Sequence, residues 1–370
     1  WAGCLAAAAV VFVLHAVYFS PDLAPAVLEV ANAYFRLGVQ LFFVVSAFAL
    51  MHSTRVYETA PDWVGRFYLK RFWWIAPLFY LMAAITPFYS YYANSMVTTP
   101  TEVALNLLFL NNLVPQYSLS LVYAGWSVSV EVLFYCAFPL AFATIRTLRA
   151  GALLLIASII IGEAARASFT QIRLLVGNYG DFNVLVHLPY FAFGIVAFLA
   201  YDKLRRTRWG AADAPAHIVL IYHAVFAGAA LGLAALIVSF NAQLHALLRA
   251  DMILWGLVFA LLTVWVSVRR IWVLNWGPIQ YLGERSYSLY LLHVLIIFAA
   301  KPLTNSVFHA LEPALGGWAI APSLIATYIP VAALASLTYA LVEKPGMDYG
   351  KKLHAMLSRR TPATNRAATS

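Results

Sequence analysis

Long apolar runs separated by short polar connections dominate the chain. They fall at 2–19, 35–52, 72–90, 128–145, 151–168, 184–201, 218–239, 250–268, 286–301 and 321–342. A helix rises about 1.5 Å per residue and a bilayer's hydrocarbon is about 30 Å thick, so runs of this length read as membrane spans. The pattern predicts an all-α, polytopic integral membrane protein of about ten transmembrane helices in one bundle. A single membrane domain over 1–345 is expected, followed by a basic tail, 346–370, that reads as cytoplasmic and partly disordered. The stretch VALNLLFLNNLVPQYSLSLV (103–122) breaks the rhythm and has room for a re-entrant piece. No internal repeat is visible, and no loop is large enough for a second soluble domain.

Charge sets the orientation. With the N-terminus in the cytoplasm, the loops 53–71, 146–150, 202–217 and 269–285 and the C-terminal stretch 343–370 are internal, and they carry 19 of the 24 Lys and Arg residues. Arg36, Arg166, Arg173, Arg249 and Lys301 fall on the other side. This bias in alternate loops is the positive-inside signature, and it puts both termini in the cytoplasm. The composition agrees: 63% of residues are hydrophobic and 11% charged, against about 45–50% and about 25% in a soluble domain. The net charge of +9 then reads as topology and anionic-lipid contact, not as a nucleic-acid footprint. Cys4 and Cys136 form no disulfide or metal-ligand pattern, and no metal is expected.

Several polar residues remain at membrane depth, where ionisable groups are costly and functional by default. In VVFVLHAVYF (Val10–Phe19), His15 lies about 6 Å below the outer end of its span. In WSVSVEVLFY (Trp126–Tyr135), Glu131 lies about one turn into a span that also enters from outside. Equal depth makes the pair a candidate histidine base with its carboxylate. For His15 alone, an interhelical hydrogen bond is the simpler account. At the inner side, RFYLKRFWWIAPLFY puts Arg66, Lys70 and Arg71 at the mouth of the third span. These are either positive-inside anchors or a clamp for an anionic cytoplasmic donor. YLGERSYSLYLLHVLII aligns Ser286, Tyr290 and His293 on one helical face. Ser46 lies near mid-depth in GVQLFFVVSAFAL, where a hydroxyl more often serves packing. Such a polar interior suits an enzyme or a transporter.

Six ordered pieces carry a family likeness: His15 in the first helix, GVQLFFVVSAFAL, KRFWWIAPLFY, WSVSVEVLFY, YLGERSYSLYLLH and LVEKP. Together the chain resembles the acyltransferase-3 family, integral membrane enzymes that O-acylate sugars and other extracytoplasmic acceptors. The resemblance implies His15 as the catalytic histidine and Trp126, Ser127 and Glu131 as the family's tryptophan–serine–glutamate motif. It implies Arg71, with Lys70 beside it, as the site that meets acyl-CoA. Three positions depart from the family: Cys4 replaces a basic residue eleven positions before the histidine, Trp74 replaces a second arginine, and Ala47 replaces a glycine.

The expectation is therefore a membrane O-acyltransferase that moves an acyl group, acetyl first, from cytoplasmic acyl-CoA to a hydroxyl of an extracytoplasmic carbohydrate-containing acceptor. His15 and Glu131 are the expected catalytic pair, and Arg71, Lys70 and Arg66 the donor site. Trp126, Ser127, Ser46, Tyr290 and His293 are the supporting polar interior. No permanently bound cofactor is expected. Acyl-CoA is a co-substrate, membrane lipids and the acceptor are the other partners, and a bacterial inner membrane is the expected location. The rival expectation is a transporter or flippase of a lipid-linked or polar solute.

Overall fold

A computed structural model describes residues 2–23, 25–94, 97–176, 179–246, 250–269 and 271–360. Among them the secondary structure is all helical. The long helices are α1 (Ala2–Tyr18), α2 (Gly38–Arg55), α3 (Trp63–Asn94), α4 (Trp126–Thr144), α5 (Leu148–Val176) and α6 (Val184–Leu204). They continue with α7 (Ala216–Ser239), α8 (Ala250–Val268), α9 (Ser286–Leu315), α10 (Ile320–Thr338) and α11 (Lys344–Arg360).

Each apolar run in the sequence falls on one of α1–α10. Among the described residues, eight helical stretches are long and apolar enough to cross a membrane, against about ten expected. The difference has two sources. Helix α1 has only 17 residues, and α9, α10 and most of α11 follow one another as one stretch, Ser286–Ser358. Apolar side chains such as Leu153, Ile160, Leu220 and Leu231 are exposed along the helix surfaces, as hydrocarbon contact requires. The protein is an integral membrane protein.

Small residues set the helix packing. Helix α1 runs antiparallel to α2, with Gly3 against Val45 and Gly38 against Val11 and the Ala7 carbonyl. A Cβ on Gly194 of α6 would lie 2.3 Å from the Val44 carbonyl oxygen and 2.7 Å from the Ala47 Cβ. Ala47, where the family has a glycine, is thus fully buried and meets a glycine on the facing helix. The two exchange roles in one close backbone approach. Helix α1 also packs on α9, α2 on α6 and α8, and α6 on α4 and α5, while α7 leans on α8.

The 103–122 segment holds a short helix, Pro100–Leu107, and two 3-10 turns, Asn111–Leu113 and Pro115–Tyr117. Its buried asparagines tie it together and to the segment before α6. Asn106 Oδ1 accepts from Ser120 Oγ (2.6 Å) and the Leu121 amide (3.1 Å). Asn112 donates to the Phe182 carbonyl (2.7 Å) and accepts from the Val184 amide (2.9 Å). Non-helical backbone at this depth survives only with such partners inside protein.

The region read as a partly disordered tail continues as helix α11 to Arg360. It packs along α3, with the Tyr349 ring 4.6 Å from the Trp73 ring and His354 Nε2 2.9 Å from an Asp62 carboxylate oxygen. Gly346 and Gly350 leave room for Pro77 and Trp73. A hydrophobic face against α3 holds this stretch in place, which its basic composition hides. Residues 361–370, like Arg249 and Arg270 and the Arg173 side chain, lie outside the described residues.

Candidate active site

His15 stands in the last turn of α1 and His293 in the third turn of α9, where the two helices pack. Their rings meet with His293 Nε2 3.1 Å from His15 Nδ1. His293 is buried, and its Nδ1 lies 2.5 Å from the Tyr290 carbonyl oxygen. His15 Nδ1 is also 3.0 Å from the Val11 carbonyl oxygen. Carbonyl oxygens only accept, so a neutral His293 carries its proton on Nδ1 and offers Nε2 as an acceptor. His15 then donates from Nδ1, shared between His293 Nε2 and Val11 O. Its Nε2 keeps a free lone pair, and that nitrogen makes no hydrogen bond among the described residues. This tautomer is assigned from the hydrogen-bond partners, and it is the one a general base needs.

Glu131 is nearly fully buried in the second turn of α4, and its Oε1 accepts a hydrogen bond from Ser46 Oγ of α2. The partner of His15 is therefore His293, and the expected direct His15–Glu131 contact is not formed. Equal depth on two helices does not decide which side chains face each other.

The other motif residues gather beside these groups. Ser127, in the first turn of α4, lies with Oγ 2.7 Å from the Tyr290 hydroxyl, and Tyr290 OH also reaches the Ala124 carbonyl at 3.2 Å. Ala124 has φ = 59°, a left-handed conformation that costs an alanine about 1–2 kcal/mol. That strain turns its carbonyl towards the tyrosine. Phe42 stacks over Tyr290 at 6.0 Å. Trp126 packs edge-on to Phe182 (4.8 Å) and beside His187 (5.3 Å), and makes no side-chain hydrogen bond among the described residues. Phe19 lies over His15 (6.1 Å) and against Phe298 (4.3 Å), with Tyr123 5.6 Å and Tyr89 6.2 Å from Phe298. This half-buried aromatic collar beside His15 has no sequence signature, because its rings come from four separate segments.

The cations sit at the other end of the bundle, where α2 ends and α3 begins. Arg71 is buried, donates from Nη2 to Ser53 Oγ at 3.2 Å, and lies 5.2 Å from the Trp74 ring. Its Nε is buried without a hydrogen-bond partner among the described residues. Arg66 and Lys70 are exposed and flank the Tyr57 ring at 4.7 and 5.9 Å. Trp74, in place of a second arginine, thus serves as an aromatic bed for the first. Cys4 lies beside Ser286 at the start of α9 and brings no charge. Arg285 is held over Tyr281 (3.4 Å) and Tyr339 (4.6 Å).

One feature lay outside the sequence reading as chemistry. Glu343, fully buried in a π-helical turn, Tyr339–Glu343, accepts from Ser288 of α9. It belongs to the LVEKP motif, and the motif alone does not say what the carboxylate meets.

The fold and this interior define the class: a polytopic helical membrane protein with a histidine pair at one end of its bundle and a buried arginine at the other. Residues 4–337, nearly the whole chain, match the family described as an acyltransferase domain. The chain belongs to this family, acyltransferase-3. It is also similar to ORF330 of Acidianus two-tailed virus, whose name gives it as a candidate acetyltransferase, with 28% identity over 192 residues. That match covers 50% of this chain and 54% of the viral protein, so the chain spans about half the length of the curated relative it matches. No solved structure matches it.

Proposed function

We propose that the protein is an O-acyltransferase moving an acyl group, acetyl first, from cytoplasmic acyl-CoA to a hydroxyl of an extracytoplasmic carbohydrate acceptor. The observation that carries this reading is the unpartnered His15 Nε2, held ready by a hydrogen bond from His15 Nδ1 to His293. In the reaction, Nε2 removes the proton of the acceptor hydroxyl as its oxygen attacks the thioester carbonyl. The new C–O bond forms, the C–S bond breaks, and the proton passes from His15 to the departing thiolate.

The donor arrives from the other end. Arg66, Lys70 and Arg71 hold its phosphates, and its long thiol arm runs along the interface of α1, α2, α4 and α9. From the level of Cys4 to that of His15 this is eleven residues of α1, about 16 Å. Glu131 holds Ser46 along this path and balances the buried charge of Arg71. The membrane is a bacterial inner membrane with both termini in the cytoplasm, and α1, α9 and α10 each cross it.

The decisive experiment follows transfer of labelled acetyl from acetyl-CoA to cell-envelope glycan by the purified protein in detergent. Replacing His15 by Ala is expected to lower product by ~10²–10⁴-fold, the span that general base catalysis supplies, while the protein stays inserted and folded. Near-normal transfer by that variant would sink the assignment of His15. Wild-type protein that transports a solute but neither binds nor uses acyl-CoA would favour a transporter.

A further inference from the structure

A cavity of about 240 Å³ opens at the same end of the bundle as His15, between the segment before α2 and the start of α8. Tyr34, Arg36, Asn241, His245, Asp251 and Trp255 line it. None of these residues belongs to the machinery described above. The Tyr34 and Trp255 rings pack edge to face, 6.2 Å apart and inclined at 62°, and together make one aromatic wall. Asp251 is buried at 2% exposure, and both its carboxylate oxygens lie 3.2 Å from His245 Nδ1. That contact fixes His245, which is itself exposed, at the cavity lining. Arg36 is exposed at the mouth and makes no ion pair or side-chain hydrogen bond among the described residues. Arg166, by contrast, sits with Glu163 and Asp181.

These groups select a ligand. Water occupies about 30 Å³ per molecule in the liquid, so the cavity has the space of roughly eight waters. That suits a single sugar ring. An aromatic wall accepts the C–H face of a sugar, and the polar groups beside it fix its hydroxyls. Arg36 adds one free guanidinium, whose forked donors match a carboxylate in bidentate fashion. Asp251 opposes a doubly charged phosphate, so one negative charge on the ligand fits better than two.

The cavity also lies in the right place. Gly38 rests on Ala7 and Val11 of α1, and α2 is antiparallel to α1. The segment before Gly38 therefore runs past the turn of α1 that carries His15, and Pro25–Leu37 packs on α1. We propose that this cavity binds a monoanionic sugar residue, of the uronic acid type, carried by the acceptor next to the sugar that receives the acyl group. The inference rests on the acyltransferase reading only for the ligand's role as acceptor.

The test is calorimetric binding of D-glucuronate to the purified full chain in nanodiscs with no acyl donor present. Glucose and inorganic phosphate are the comparison probes. Saturable glucuronate binding is expected, with glucose at least ten-fold weaker. Arg36→Gln and Trp255→Ala should each weaken glucuronate at least ten-fold; Arg36 is exposed, so its variant is not expected to disturb folding. Absence of saturable glucuronate binding overturns the proposal. So does glucuronate affinity unchanged in both variants, or phosphate binding as tight as glucuronate and indifferent to Trp255→Ala, the mark of a plain anion site. Because no donor is present, a failure here leaves acyl transfer itself untouched. Conversely, loss of transfer in the His15 variant says nothing about this cavity.

Discussion

A histidine at membrane depth is useful as a base only if one of its nitrogens is bare and faces substrate. His15 meets that condition through His293, whose own Nδ1 is committed to the Tyr290 carbonyl. The acceptor at His293 Nε2, not its charge, is what matters to His15. His293→Gln, which can still present an oxygen near that position, should keep most of the turnover. His293→Phe fills the space but accepts nothing, and should lower kcat towards the ~10²–10⁴-fold limit of base catalysis with little change in KM. Steady-state kinetics of both variants checks this, and equal kcat values for the two would refute the tautomer argument. At the other end of the bundle Arg66 and Lys70 are exposed, and under the proposed reaction they hold the donor's phosphates. Alanine at both should raise KM for acyl-CoA several-fold at unchanged kcat, since an exposed ion pair contributes about 0.2–1 kcal/mol. A fall in kcat at constant KM would place them elsewhere in the mechanism.

The helices were legible because a bilayer demands continuous apolar runs, and each of the ten runs falls on a helix. Their pairing was not. His15 and His293 are 278 positions apart, and helical period and depth say which residues share a face or a level, not which faces meet. The α2–α6 approach makes the same point. Ala47 read as a minor departure from a glycine, while the glycine that permits the contact is Gly194. Gly194→Val would drive a side chain into the Val44 backbone, and overpacking of this kind costs about 1–3 kcal/mol. The midpoint of thermal unfolding in detergent should fall clearly below that of the parent, and an unchanged midpoint would mean the helices sit farther apart. Helix α11 was missed for a related reason: its composition is that of a solvated tail, and only Trp73 and Pro77 of α3 supply the face it covers.

Across the whole molecule, the charge bias and the two polar ends describe one vectorial arrangement. Cations gather where α2 ends and α3 begins, and the histidine pair and aromatic collar gather where α1 ends. In a cysteine-free background, a cysteine at the exposed Asp22 should react with an impermeant maleimide on intact inner-membrane-exposed cells, and one at Ser358 only after permeabilisation. The opposite labelling would invert the donor and acceptor sides. By itself the sequence determined the helical class, the runs, the charge asymmetry and, through six ordered motifs, the family. These are local or periodic properties, set by what each segment must bury in lipid. The tertiary structure alone decided that His15 is partnered by His293, that Glu131 turns to Ser46, that Trp74 lies beside Arg71, and that a lined cavity opens between the segment before α2 and the start of α8. Each of these depends on which helix faces meet, and that is settled by close packing between residues far apart in the chain.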